Sequence, residues 1–145
     1  DYIHSYRNDQ HPTGLTPYEV AHQLQDWANE SLHYVKALRD SDLVKSKELS
    51  DLLYDIQAMS QLGNYYASKI LGGTHLRRFR QAGSQTDKQN AIDALEDALA
   101  HWKAYAASAT ANYRPQFMSK TRTIDWIRLT EDVRHDIEIA RHATP

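Results

Sequence analysis

Apolar residues recur along most of this chain at steps of three and four, the spacing that gathers side chains on one face of an α-helix. The first run follows Thr16-Pro17-Tyr18-Glu19. There Thr16 serves as N-cap, Pro17 takes the first helical position where its missing N–H costs nothing, and Glu19 completes a capping box. From this start to about Arg39, Val20, Leu24, Trp27, Ala28, Tyr34, Val35 and Leu38 mark one stripe. Asp40, Ser41 and Asp42 break the pattern and place a short connection there. A second helix is expected from about Ser46 to Ala82, with Leu49, Leu52, Leu53, Ile56, Met59, Leu62, Tyr66 and Ile70 facing inward. At about 1.5 Å per residue it would be roughly 55 Å long. Gly72 and Gly73 lie inside it, each unfavourable by about 1 kcal/mol relative to Ala, so a kink or a close helix approach is expected at the pair.

Gly83-Ser84-Gln85 reads as a stop, and Thr86-Asp87-Lys88-Gln89 as a second capping box. The third helix has the most regular stripe: Ile92, Leu95, Leu99, Trp102, Ala106, Ala109 and Tyr113. Pro115 ends it, since the residue before a proline is pushed out of the helical region. A polar connection, Gln116 to Arg122, leads to a fourth helix from about Asp125 to Arg141, with Trp126, Leu129, Val133, Ile137 and Ala140 inward. No segment alternates as a strand would, and no helical-repeat period is found. The pattern predicts an all-α fold, an antiparallel four-helix bundle running up-down-up-down with a long second helix. Trp27, Trp102 and Trp126 fall on the inner stripes of three helices and read as core anchors.

Residues 1–15 show no sustained periodicity, and Pro12 and Gly14 stand close together. They read as a linker or extended lead-in, with Tyr2, Ile3 and Tyr6 touching the body, ahead of a bundle domain over 16–145. The chain opens on Asp1 rather than Met and carries no signal-peptide pattern, which suggests a processed chain or a domain cut from a longer one.

Composition narrows the functional classes. A chain of 145 residues makes one domain. With 17 Lys+Arg against 19 Asp+Glu, the net charge of -2 supplies no general field for nucleic acid or an anionic membrane. There is no cysteine, hence no disulfide, thiol nucleophile or cysteine-ligated zinc. No apolar run approaches the ~18 residues of a membrane span.

Eight histidines in a helical bundle call for comparison with dimetal carboxylate sites, which use Glu-x-x-His on two helices. Glu30/His33 and Asp132/His135 have such spacing, but both histidines fall on outer faces, so no metal and no cofactor is expected. Phosphate loops, nucleophile elbows and His-Glu-x-x-His helices are absent. The chain does not read as an enzyme by itself.

Two local features exceed background. Arg77, Arg78 and Arg80 form a basic patch near the end of the second helix, either favourable charge at a helix C-terminus or a contact for an acidic polymer. Tyr65, Tyr105, Tyr113 and Arg114 are the other candidates. If Tyr66 faces inward, Tyr65 lies on a flank, and exposed aromatic faces beside Arg, Asn or Gln suit sugar rings. The plainer reading makes the rings the edge of a thin core.

The stretches Leu62-Gly-Asn-Tyr-Tyr-Ala-Ser-Lys-Ile70, Ala98-Leu-Ala-His-Trp-Lys-Ala-Tyr-Ala106 and Tyr113-Arg-Pro-Gln-Phe117 carry a resemblance that covers about Thr16 to His142. The chain resembles the helical accessory domains, often C-terminal, of large secreted bacterial glycoside hydrolases and related polysaccharide-degrading proteins. The resemblance implies a non-catalytic appendage in a secreted, periplasmic or cell-surface protein. Its partners would be the catalytic domain of the same polypeptide and a polysaccharide. The alternative is a structural or protein-interaction bundle with no ligand of its own, whose mark would be an exposed apolar patch larger than a few hundred Å².

Overall fold

A computed structural model of the chain describes residues 14–118 and 122–145, so Tyr2, Ile3 and Tyr6 of the lead-in lie outside the described residues. Four helices follow one another: α1 (Pro17–Arg39), α2 (Lys47–Ala82), α3 (Gln85–Asn112) and α4 (Thr130–Arg141). The capping box starts α1: Glu19 N–H donates to Thr16 Oγ1 at 3.2 Å, and Thr16 N–H donates to a Glu19 carboxylate oxygen at 2.7 Å. The backbone bond from Thr16 holds the Glu19 carboxyl below its ordinary pKa. Ser46 caps α2, and Gly83 ends it in the left-handed region at φ 70°, where a side chain would be strained. The next turn is tighter than the Thr86 capping box implies. Ser84 is the cap, accepting from Asp87 N–H at 3.3 Å, because the turn at Gly83 already points the following backbone along α3.

The helices run up-down-up-down. Tyr18 meets His75 and Asn29 meets Asn64 across α1 and α2, Gln57 and Gln61 meet Ser108 across α2 and α3, and Arg141 pairs with Glu96 across α3 and α4. The largest interface joins α2 to α3; α1 packs chiefly on α2, and α4 on α3. The helix α2 is continuous through the glycine pair, and of the two expectations there the close approach holds: a Cβ on Gly72 would lie 2.7 Å from Leu95 Cγ.

The core follows the expected stripes of α3 and α4. Tyr65, Ala98, Trp102 and Val133 form one buried cluster, Leu95, Ile137 and Ala140 a second, and Ala106, Ala109 and Trp126 a third. Five expectations on α1 and α2 are corrected. Trp27 is 63% exposed rather than a core anchor, because the line Ala21, Ala28 and Val35 takes the contact with α2. These small side chains let the backbones close in, with Gly63 against Ala28, and leave the large residues on the rim. Leu52 and Met59 are exposed for the same reason, as is Tyr34 on α1. Tyr65 and Tyr66 exchange roles: Tyr65 is 5% exposed against Trp102, and Tyr66 is 51% exposed.

The connection after α3 also differs from the expected strandless loop. Pro115 leaves the chain extended, and Gln116–Met118 (β1) pairs antiparallel with Arg122–Ile124 (β2), Phe117 opposite Thr123. Strands of three residues are too short to register as an alternation. The fourth helix starts at Thr130, not Asp125, because Asp125 Oδ1 accepts the N–H groups of Ile127 and Arg128 and closes a turn there first. Among the described residues no helix is long and apolar enough to cross a membrane.

Candidate functional site

The end of α3 and the returning hairpin bring three aromatic residues beside the N-terminal half of α2. A groove of about 320 Å³ opens there, with Tyr105, Tyr113 and Trp126 on one side and Met59 and Leu62 on the other. The rings are held by their polar atoms. Trp126 Nε1–H donates to Tyr105 Oη at 3.0 Å, and Tyr113 Oη–H donates to Asp55 Oδ1 at 2.5 Å. The bond to Asp55 raises the Tyr113 pKa, since ionising a phenol against a carboxylate is unfavourable. Tyr113 therefore stays a donor at neutral pH. Gln116 adds an amide to the rim.

Asp55 and Tyr113 also border a smaller polar hollow of about 160 Å³ with Lys47, Asp51 and Asn112. Lys47 Nζ donates to Asp51 at 2.5 Å across one helical turn. An apolar trough thus runs into a pocket holding two carboxylates, an ammonium and an amide. Such a pair of surfaces matches a ligand with an apolar face and a fringe of hydroxyls.

The seven sequence candidates divide. Tyr105 and Tyr113 meet in the groove. Tyr65 lies in the core, where its hydroxyl accepts from Lys69 Nζ at 3.1 Å, so the flank position expected for it is corrected. Arg77 and Arg80 are exposed at the far end of α2, roughly 20 Å from the groove at 1.5 Å per residue. Arg78 is turned inward: Nη1 donates to Tyr18 Oη at 2.9 Å, and Nε lies 3.4 Å from Asp87 Oδ1. His75 Nδ1 is 3.0 Å from the same carboxylate oxygen, making a network that ties α1, α2 and α3 together. Arg114 is exposed just after α3. Gln116, already named beside Tyr113 in the sequence, joins the groove from β1. Asp55 and Met59 were not among the ligand candidates, and the antiparallel register of α2 against α3, set by Gln57 and Gln61 on Ser108, brings them to Tyr113.

Glu30, His33, Asp132 and His135 all face outward. Among the described residues no group of three or more His, Asp or Glu is placed to hold a metal ion.

A second apolar surface lies between α1 and α2. Its groove, about 300 Å³, is floored by Ala28, Ser31, Ser60 and Gly63 and walled by Leu24, Trp27, Ile56 and Met59. Trp27 and Met59 are 63% and 72% exposed.

No protein-family model, curated protein or solved structure matches the chain.

Proposed function

We propose that this chain is a non-catalytic helical accessory domain of a carbohydrate-active enzyme, contacting glycan through the groove at Tyr105, Tyr113 and Trp126. The observation that carries the reading is the meeting of these rings with Asp55 and Gln116 in one open groove. A pyranose would lay its C–H face against Tyr113 and offer hydroxyls to Asp55, Asn112 and Gln116. The resemblance to appendages of secreted bacterial glycoside hydrolases supplies the context: an extracytoplasmic protein whose catalytic module belongs to the same polypeptide. Affinity electrophoresis and calorimetry against neutral and acidic polysaccharides test it. Binding to at least one glycan, lost in Tyr113→Ala and Asp55→Ala, is the expected result. Silence across the panel, or binding indifferent to both substitutions, removes the reading.

A structural or protein-interaction bundle is the second reading, favoured by the exposed face of α1 and α2 with Trp27 and Met59.

A further inference from the structure

The outward face of α1 and α2 has an internal symmetry. On α2, Leu52, Met59, Tyr66 and Gly73 stand seven residues apart, and all four are exposed. Ile56, Gly63 and Ile70 repeat the same interval beside them, half-buried. On α1, Trp27 and Tyr34 are seven apart and exposed, with Leu24, Ser31 and Leu38 alongside. A seven-residue interval keeps side chains on one face of a helix and is the pattern of a seam that packs on another helix. Here two adjacent helices carry it, and it faces solvent.

We propose that this face is an isologous interface with a second copy of the chain, in which the α1–α2 hairpins of two protomers form an intermolecular four-helix bundle. A two-fold axis perpendicular to the helices runs each helix antiparallel to its own copy. On α2, the pairs Leu52 with Gly73 and Met59 with Tyr66 share one midpoint, between Leu62 and Gly63. Around it the large Leu52 meets the bare surface at Gly73, where an added Cβ would touch nothing. Met59 thioether meets the Tyr66 ring, a favourable sulfur–aromatic contact. Glu48 and Arg77, exposed at the two ends of the same stripe, share that midpoint too, so each acid faces the other copy's guanidinium.

The same axis must serve α1. There Trp27 with Tyr34, and Leu24 with Leu38, centre on Glu30–Ser31. Within one protomer Asn64 donates to Asn29 at 3.0 Å, and Gly63 lies against Ala28. This register sets Glu30–Ser31 of α1 level with Leu62–Gly63 of α2. The midpoints of the two helices therefore lie on one perpendicular, although nothing within a monomer requires it. The floor of the groove at that level is small: Ala28, Ser31, Ser60 and Gly63. Small residues at the axis let the facing helices approach while the flanking rings interdigitate.

The area is sufficient. From the exposures of Trp27, Tyr34, Leu38, Leu52, Met59 and Tyr66, these residues leave roughly 700 Å² uncovered per copy, polar atoms included, near the ~800 Å² per partner of a standard interface. The inference does not rest on glycan binding, although Met59 borders both surfaces; it gives the second functional reading a partner.

Sedimentation velocity and light scattering on the 145-residue chain, from low to high micromolar concentration, test it. The chain is expected to dimerise, and Trp27→Asp to be monomeric with unchanged helical circular dichroism, since that indole already faces solvent. Glu48→Arg and Arg77→Glu should each weaken the dimer by about tenfold through two symmetry-related contacts, and the double exchange should recover it. The native sequence has no cysteine, so Ser31→Cys reports the axis directly by oxidising to a disulfide with its own copy. A chain that stays monomeric throughout, as when another domain is the true occupant, overturns the proposal. So does a dimer indifferent to Trp27→Asp, or a double exchange that fails to recover association. None of these outcomes reads sugar binding, so the two proposals fail separately.

Discussion

The indole N–H of Trp102 reaches the backbone carbonyl of Trp126 at 3.2 Å, and through it α3 fixes the entry into α4. The same N–H lies 3.2 Å from Thr130 Oγ1, the hydroxyl of the first residue of α4. A helix of 12 residues without a side-chain N-cap is marginal alone, so this tether has structural weight. Trp102→Phe keeps most of the ring and removes the donor. The Trp126 carbonyl retains Thr130 as a partner at 3.3 Å, which limits the loss to about 1–2 kcal/mol. Trp102→Ala adds a cavity beneath Tyr65 and Val133 and should cost about 3–5 kcal/mol. Urea unfolding of both variants checks the order; a Trp102→Phe protein as stable as the parent would mean that the hydrogen bond is immaterial.

The glycine pair offers a matched comparison. A Cβ at Gly72 would sit 2.7 Å from Leu95 Cγ and 3.3 Å from the Ala91 carbonyl, while at Gly73 it would meet nothing. Gly72→Ala must displace a buried leucine, a change of about 1–3 kcal/mol against folding. Gly73→Ala meets no such obstacle and should add about 0.5–1 kcal/mol of stability by reducing the freedom of the unfolded chain. Thermal melts in the Trp27→Asp background, where the proposed contact of Gly73 with a second copy is absent, read both signs. Destabilisation by Gly73→Ala would show that this position is crowded.

How far the sequence reached can be judged from residues on facing sides of single helices. The stripes of α3 and α4 were legible because each is covered by neighbours over much of its length, so period and burial coincide. On α1 the same period misled. Trp27 and Ala28 both fit an inner stripe, and the chain alone does not say that the contact with α2 is made by Ala21, Ala28 and Val35. Hydrophobicity favoured the tryptophan; close backbone packing favoured the alanine. Tyr65 and Tyr66 are a second instance, since a one-residue step turns the face by about 100° and both choices continue a plausible stripe. Of the groove, Tyr105 and Tyr113 were among the aromatic candidates, although Tyr113 was also placed on the inner stripe of α3, whereas Asp55 was hidden. Its role depends on which turn of α3 lies opposite, a fact set by tertiary register.

Asp87 is the most confined carboxylate of the α1–α2–α3 junction, its side chain 10% exposed between His75 and Arg78. Its backbone N–H also completes the Ser84 cap, and that bond survives any change of side chain. Asp87→Ala removes the acceptor shared by an imidazole and a guanidinium whose side chains are 17% and 20% exposed. Breaking one side of a buried charged contact costs about 3 kcal/mol or more, because the remaining charge is left desolvated. Arg78→Ala should cost less, since a carboxylate that keeps the His75 contact is better compensated. Denaturant midpoints of the two variants decide it. An Asp87→Ala protein as stable as the parent would mean that solvent reaches the junction freely.

Lys69 links α2 to α4 and gives the fold an alkaline limit. Its ammonium lies 2.8 Å from Asp136 and donates to Tyr65 Oη at 3.1 Å. Partial burial opposes the charge, but the bonds to Asp136 and Tyr65 outweigh it, and the pKa stands above the usual 10.5. A pKa raised on folding means that the folded state binds the proton more tightly. The stabilisation is therefore complete below the unfolded value and fades as pH climbs through the folded one. With 43% of the lysine side chain exposed, solvent keeps the contribution under about 1 kcal/mol. Lys69→Met should melt slightly lower at neutral pH, and the gap from the parent should close as the pH rises above about 10.5. A gap that stays constant through the alkaline range would mean that the charge on Lys69 contributes nothing and that only its packing matters.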